Sequence, residues 1–567
     1  MSTDPFDWGA PDLSLSTFAS VRDITPSTRT DRTLSFGDSL VKTRGTHTFR
    51  LGGDYRDLMT DSRTDRNARG SFVFSGLYTG VDFGDFLLGL PQQSLVQYGP
   101  GLEQFHSRSW DLYAQDDWRV NAKLTVNAGV RYEYLAPFTE ADNRLVTLDV
   151  APGFTAAVPV AAGGTGPYSG PLPDALVRPF RGGLAPRTGI AWRAAADTIV
   201  RAGYGINYST SVYQSMAQQL AGQPPYAVAN TVLARLASPT PLATALVEIS
   251  PTATLNTYAV DPNYRAPMVQ IWNAGVQRDL SRIVTMDVTY TGTKGMHLDL
   301  VRAPNRNPDG SIRIDGVAPF LWESSEADSI SNSVRLRIRR RMSNGLGTSA
   351  SYTLSKSTDD ASSIGGTAVV VAQNDQNLAA EWGLSSFDQR HRFAADATYE
   401  LPFGEDRRWV KGGTGAALLG HWQLNATLQL ASGTPYTARV LGAVHDVATG
   451  VNGTLRADYS GGPIEVADPT TQAFFNKGVF SLPAPGTFGT AARYTIIGPG
   501  VSVVNFGLTR SVEVGQARSL TFQVQAINAL NTVQYATIDT VVNSPTFGQV
   551  TSVRPMRRFQ IAVRFRF

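Results

Sequence analysis

The carboxyl-terminal stretch Arg557 to Phe567 alternates without a break. Phe559, Ile561, Val563, Phe565 and Phe567 fall on one side of an extended backbone, and Arg558, Gln560, Ala562, Arg564 and Arg566 fall on the other. The same two-residue period recurs upstream in pairs. Thr33 to Lys42 faces Thr46 to Leu58, Ser107 to Arg119 faces Lys123 to Tyr134, and Arg187 to Arg193 faces Thr198 to Tyr208. Pro267 to Arg278 precedes Arg282 to Gly292, and Ile330 to Arg341 meets Leu346 to Ser357 across Asn344-Gly345, a dipeptide suited to a two-residue hairpin turn. Asp388 to Leu401 pairs with His421 to Ala431 through a longer basic turn, and Ser502 to Val512 with Ala517 to Leu530 through Glu513-Val-Gly-Gln516. The pattern predicts about fifteen antiparallel strands. Their connections are short on one side and long on the other, where Met59 to His106, Leu135 to Pro186, Ser209 to Ala266 and Ser432 to Val501 read as irregular loops rich in Gly, Pro and Asn.

A strand with one apolar and one polar face needs a covering layer in water, whereas in a membrane barrel the apolar face meets lipid and the polar face a wet lumen. Strict segregation of loop length favours the barrel, and the spacings vary too much for a propeller repeat. Composition agrees. Charged residues are 17% and apolar ones 42%, with 26 Phe and 20 Tyr for aromatic girdles, and no composition break divides the 567 residues into separate domains. No apolar run approaches the roughly 20 residues of a membrane-spanning helix. A net charge of +3 does not argue for nucleic acid as a partner, and the absence of cysteine excludes disulfides, thiolate metal sites and cysteine nucleophiles.

Several stretches mimic other chemistries. Arg335, Arg337 and Arg339 interleave with Val334, Leu336 and Ile338, so they form a basic row on the lumen face of a strand rather than a nucleic-acid patch. Gly345 to Ala350 fits a loose dinucleotide pattern but runs into a strand where a helix N-terminus is needed. Asn305 to Gly310 begins like a calcium loop, yet its twelfth position is Gly316 instead of Glu. The six histidines lack ligand spacing, and the adjacent carboxylates Asp116-Asp117 and Asp359-Asp360 point to opposite faces of a strand. Neither a catalytic constellation nor a cofactor or metal site is expected.

The segments Leu40 to Asp54, Asp85 to Pro91, Tyr113 to Arg119, Leu124 to Glu133, Val269 to Asn273, Tyr290 to Gly295, Tyr352 to Ser357, Phe387 to Phe393, Glu400 to Gly404 and Leu482 to Gly489 together resemble the TonB-dependent transporters of the Oar-like group. The ending on Phe567, with Phe559, Ile561, Val563 and Phe565 at alternate positions, resembles the assembly signal recognised by the barrel-assembly machinery of bacterial outer membranes. The resemblance implies an outer-membrane barrel of about 22 strands, filled by an amino-terminal plug and taking up a bulky solute with energy delivered through TonB. It also implies an association with a carboxypeptidase-regulatory-like β domain that is not a peptidase. Residues 1–32 are then expected to be an extracellular loop or remnant strand, and residues 33–567 a barrel portion without its plug, first strands and signal peptide, touching TonB only through a plug this chain does not carry. Leu13 to Val21 is an alternative sixteenth strand that would close a smaller barrel. A plugless pore and a non-membrane β-sheet interaction protein stand as alternatives.

Overall fold

The structure, a computed structural model, describes residues 3–567 except 17, 24–25, 66, 100, 210–211, 235, 247–253, 308–310, 362–371, 406, 441–454, 485 and 514–517. It is mostly antiparallel β, and its largest sheet has 18 strands. Fifteen of them form one unbroken ladder: β1 (Ser27–Arg44), β2 (His47–Thr64), β3 (Glu103–Asn121), β4 (Leu124–Leu135), β5 (Leu184–Ala195), β6 (Thr198–Tyr208), β7 (Met268–Asp279), β8 (Val284–Arg302), β9 (Leu321–Ser343), β10 (Leu346–Asp359), β11 (His391–Glu400), β12 (Trp422–Ala431), β13 (Val501–Glu513), β14 (Ser519–Ile527) and β15 (Arg558–Arg566). Each pairs antiparallel with the next in sequence.

The period-2 segments therefore become the strands expected of them, but several run further than the alternation showed. β1 starts at Ser27 rather than Thr33, because Ser27-Thr-Arg-Thr-Asp-Arg32 is polar on both faces and carries no alternation, although it is paired throughout with Met59 to Thr64 of β2. Likewise β9 begins at Leu321, ahead of the amphipathic part. Leu13 does not extend the ladder. Asp12 to Leu15 pairs parallel with Ser71 to Phe74 in a separate four-stranded sheet, so it supplies no strand beside β1.

Side-chain direction follows from register. Val288, Leu336, Tyr352, Phe393 and Leu430 lie opposite one another across β8 to β12, forming an apolar row on one face. One residue along, Asp287, Arg337, Ser351, Ala394 and Gln429 form a mostly polar row on the other. The apolar row is not covered by protein: Leu336 is 37% exposed, Tyr352 39% and Leu430 40%. An apolar face this wide is untenable in water, and in lipid it is the required surface.

Turns close the ladder on one side. At β9–β10, Ser343 pairs with Leu346 across Asn344 (φ 51°) and Gly345 (φ 77°), the left-handed pair that a two-residue hairpin needs. The β13–β14 turn lies outside the described residues. On the opposite side, the long connections are not irregular as the sequence suggested. They hold most of the buried apolar residues, in clusters built from Phe105, Leu145, Leu176, Met216, Leu220 and Tyr264 and, separately, from Phe475, Phe480, Ile496, Ile538 and Phe547. The helix Tyr213–Ala221 belongs to the first, burying Tyr213, Met216, Ala217, Leu220 and Ala221 at helical spacing.

Leu336→Arg should destabilise the lipid-embedded protein by about 2 to 4 kcal/mol, while Arg337→Gln, on the opposite face, should change stability by about 0.5 kcal/mol or less. Equal effects in a detergent-to-lipid refolding titration would contradict the assignment.

Candidate ligand-facing site

The polar face and the loop layer above it are the two places where this chain presents chemistry. On the polar face, β2 to β4 carry a compensated set of charges. Arg50 meets Asp117 at 2.6 Å, and Arg131 reaches Asp111 at 3.0 Å and Glu133 at 2.8 Å. The neighbouring Asp116 turns to the other face, where it contacts His47 Nδ1 at 2.7 Å, so the two adjacent carboxylates do diverge.

Arg335, Arg337 and Arg339 lie in a row on that polar face and are exposed. Register puts Thr289 and Thr353 beside Arg335, Asp287 and Ser351 beside Arg337, and Thr285 and Ser349 beside Arg339. Asp287 accepts a hydrogen bond from Thr289 Oγ1 at 2.9 Å, and among the described residues no ion pair engages the three arginines. On β15, Phe559, Ile561, Val563 and Phe565 share a face with Ala526, Val524, Phe522 and Leu520 of β14, leaving the far side of the strand unpaired. Phe567 follows the strand and is 92% exposed.

Asn305, first residue of the calcium-like stretch, serves structure instead. Its side-chain amide donates to the Val317 and Ala318 carbonyls at 2.9 and 3.0 Å, and its Oδ1 accepts from the Ile314 amide at 2.7 Å. Among the described residues no group of three His, Asp or Glu side chains could hold a metal ion.

The loop layer is tied together by buried ions that the sequence did not reveal, since their partners lie far apart along the chain. Arg302 makes a two-pronged contact with Asp375 at 2.7 and 3.0 Å and also meets Glu326. Arg456 pairs with Glu381 at 2.5 Å, and Arg493, fully enclosed, reaches Asp359 at 3.4 Å. Pairs of this kind cost much to bury and more to break, so they fix the arrangement of the loops. Beneath the loops, a cavity of about 290 Å³ lies at the upper ends of β2 to β4, lined by Arg56, Asp111, Arg131 and Glu133 together with Tyr208 and Tyr213.

A second buried constellation holds an acid pair. Beyond the irregularity at Gly295 to Leu298, and so above the apolar belt, the Asp299 carboxyl hydrogen-bonds Glu323. The Tyr264 hydroxyl donates to Asp299 at 3.1 Å, and the Tyr258 hydroxyl donates to Glu323. Burial raises Asp299 above the ordinary carboxylate value, against the pull of these hydrogen bonds.

A sheet with an uncovered apolar face, tight turns on one side and folded loops on the other defines the class of outer-membrane β proteins. Residues 1–560 match the family model described as an outer membrane beta barrel domain, and the chain belongs to that family, whose place is the outer membrane. No curated protein matches the chain by sequence. Among solved structures, it is similar to the outer membrane transporter YddB from Escherichia coli at TM-score 0.52 and 10% identity, covering 98% of this chain and 57% of that one. Similarity extends to the ferric-catecholate import receptor Fiu from E. coli K12, at TM-score 0.48 and 10% identity over 97% of this chain and 56% of the other. The chain thus spans little more than half the length of these structures, which are transporters and receptors rather than enzymes.

The raised Asp299 carries a pH prediction. A carboxyl favoured neutral in the folded state contributes its stability fully below the ordinary value of 3.8 and loses it as pH rises through the higher folded value. Asp299→Asn, which cannot ionise, should therefore gain melting temperature relative to the parent as pH rises across that interval. A difference that does not change with pH would contradict it.

Proposed function

We propose that this chain is the barrel portion of a TonB-dependent transporter of the Oar-like group, taking up a bulky solute through a barrel whose remaining strands and plug come from outside residues 1–567. The observation that carries the proposal is the state of the two ladder edges. Among the described residues β1 bonds only to β2 and β15 only to β14, and both strands are exposed along their whole length. Both also run from the long-connection side to the short-turn side, so joining them directly would make a parallel pair. Bacterial single-chain barrels are antiparallel with even strand number, which an odd number of added strands restores. For a barrel of about 22 strands, as in plugged outer-membrane transporters, the addition is about seven.

The motifs from Leu40 to Asp54 through Leu482 to Gly489 support the Oar-like assignment. The exposed row Arg335, Arg337 and Arg339 supports a lumen in which this chain leaves room for a plug. In this account the solute first meets the folded loops, TonB acts through the plug, and the apolar positions Phe559 to Phe567 address the chain to the barrel-assembly machinery and then face lipid.

Refolded alone in detergent, residues 1–567 should give no compact, heat-modifiable species on a gel, whereas a polypeptide supplying the missing strands should give one. A stable, protease-resistant barrel from these residues alone would remove the proposal in favour of a plugless pore, which single-channel conductance would then reveal. Deleting Phe567 should lower the yield of membrane-inserted protein severalfold in an exported form, and an unchanged yield would show that this residue is not part of an assembly signal.

A further inference from the structure

A cavity of about 190 Å³ opens within the loop layer, away from the polar face of the ladder. One wall comes from the four-stranded sheet, through Asn67, Gln93 and Thr231; another comes from Gln219 of the helix Tyr213–Ala221. Pro319, Phe320 and Leu321 form an apolar side. Among the described residues Arg306 is the one charged side chain in the lining, and no carboxylate lines the cavity with it.

That arginine departs from the pattern of its neighbours. Arg302, one loop turn earlier, is held by Asp375 and Glu326, whereas the Arg306 Nε is enclosed without a hydrogen-bond partner. Burial pulls its guanidinium down to about 10, which still leaves it cationic at neutral pH. A half-buried cation with no counter-charge among the described residues is unfavourable, and the Asn305 hydrogen bonds hold the chain that presents it in place. The amides of Asn67, Gln93 and Gln219 offer additional N–H donors around the same space.

From this cavity, the half-buried guanidinium and the uncharged amide donors, the geometry points to a binding site for a small oxyanion, a carboxylate or phosphate, either free or as the terminal group of a larger solute. An oxyanion there supplies the counter-charge that the described residues do not, in the two-pronged geometry that guanidinium favours. The volume suits a single acidic group rather than a whole bulky ligand. The site does not depend on the uptake reading, since occupancy is measured without transport.

Isothermal titration of the detergent-solubilised chain, together with whatever strands its barrel requires, tests this with acetate, citrate and inorganic phosphate, using acetamide as the neutral control and holding chloride at physiological concentration. At least one anion should bind saturably and raise the melting temperature, and acetamide should not. Tight citrate or acetate binding with no phosphate response identifies a carboxylate site, and the reverse identifies a phosphate site. Arg306→Gln should weaken binding at least tenfold while leaving the melting temperature of the ligand-free protein unchanged or higher, because it removes a half-buried charge that no described residue compensates. Gln93→Leu, a second and independent change in the lining, should weaken it severalfold. No saturable anion binding, or undiminished binding by both variants, would overturn the site, as would an affinity for acetamide equal to that for acetate.

Discussion

Backbone hydrogen bonding is the constraint on which this structure depends. In hydrocarbon an unpaired amide or carbonyl costs several kcal/mol, and no water is present to relieve it. The ladder meets that constraint over thirteen internal strands, each bonded on both sides, and fails to meet it at β1 and β15. The apolar residues follow from the same solvent. Leu336, Tyr352 and Phe393 are exposed or half-buried because their environment is lipid, not because the fold is incomplete there. What is incomplete is the pairing at the edges, and a long unpaired edge invites association with any strand available.

Conventional packing is displaced to one end of the molecule. Mid-ladder side chains pack against neighbours within their own face, while Phe105, Leu145, Leu176 and Met216 pack in the loop layer, as do Phe475, Ile496 and Phe547. The division is physical: a sheet that presents one face to lipid and the other to a wet lumen has no dry interior, whereas the connections lie in water and must bury apolar surface to become ordered. The loop side is therefore a preorganised surface. Its buried pairs, Arg456 with Glu381 and Arg302 with Asp375, join segments far apart in the chain.

The ladder was legible in the sequence because alternation is local. Seven hairpins and a final strand could be read from period 2 alone, including the Asn344-Gly345 turn and the opposed faces of Leu336 and Arg337. Strand ends were not legible where both faces are polar, as at Ser27 to Arg32, or where both are buried, as at Trp322 to Ser325. The loop cores left no local trace, since Leu145, Tyr213 and Tyr258 come together only in three dimensions. The exception is Tyr213, Met216, Ala217 and Leu220, whose spacing is that of one helix face within an otherwise irregular Ser209 to Ala266. Arg306 had no sequence signature at all, because a lone arginine in a loop is ordinarily solvated and only the fold encloses it.

We propose that β1 and β15 are separated by a gap in the barrel wall wide enough for several strands. The chain contains no cysteine, so spin labels can be placed at Phe36→Cys and Ile561→Cys without removing native thiols. Electron–electron distance measurement on the assembled protein in membranes tests the claim directly. With about seven strands between the edges, eight inter-strand spacings amount to about 38 Å along the wall, and the label separation should be roughly 30 Å or more. A narrow distribution near the roughly 5 Å backbone spacing of paired strands, broadened only by the reach of the labels, would mean that the two edges meet and would contradict the account.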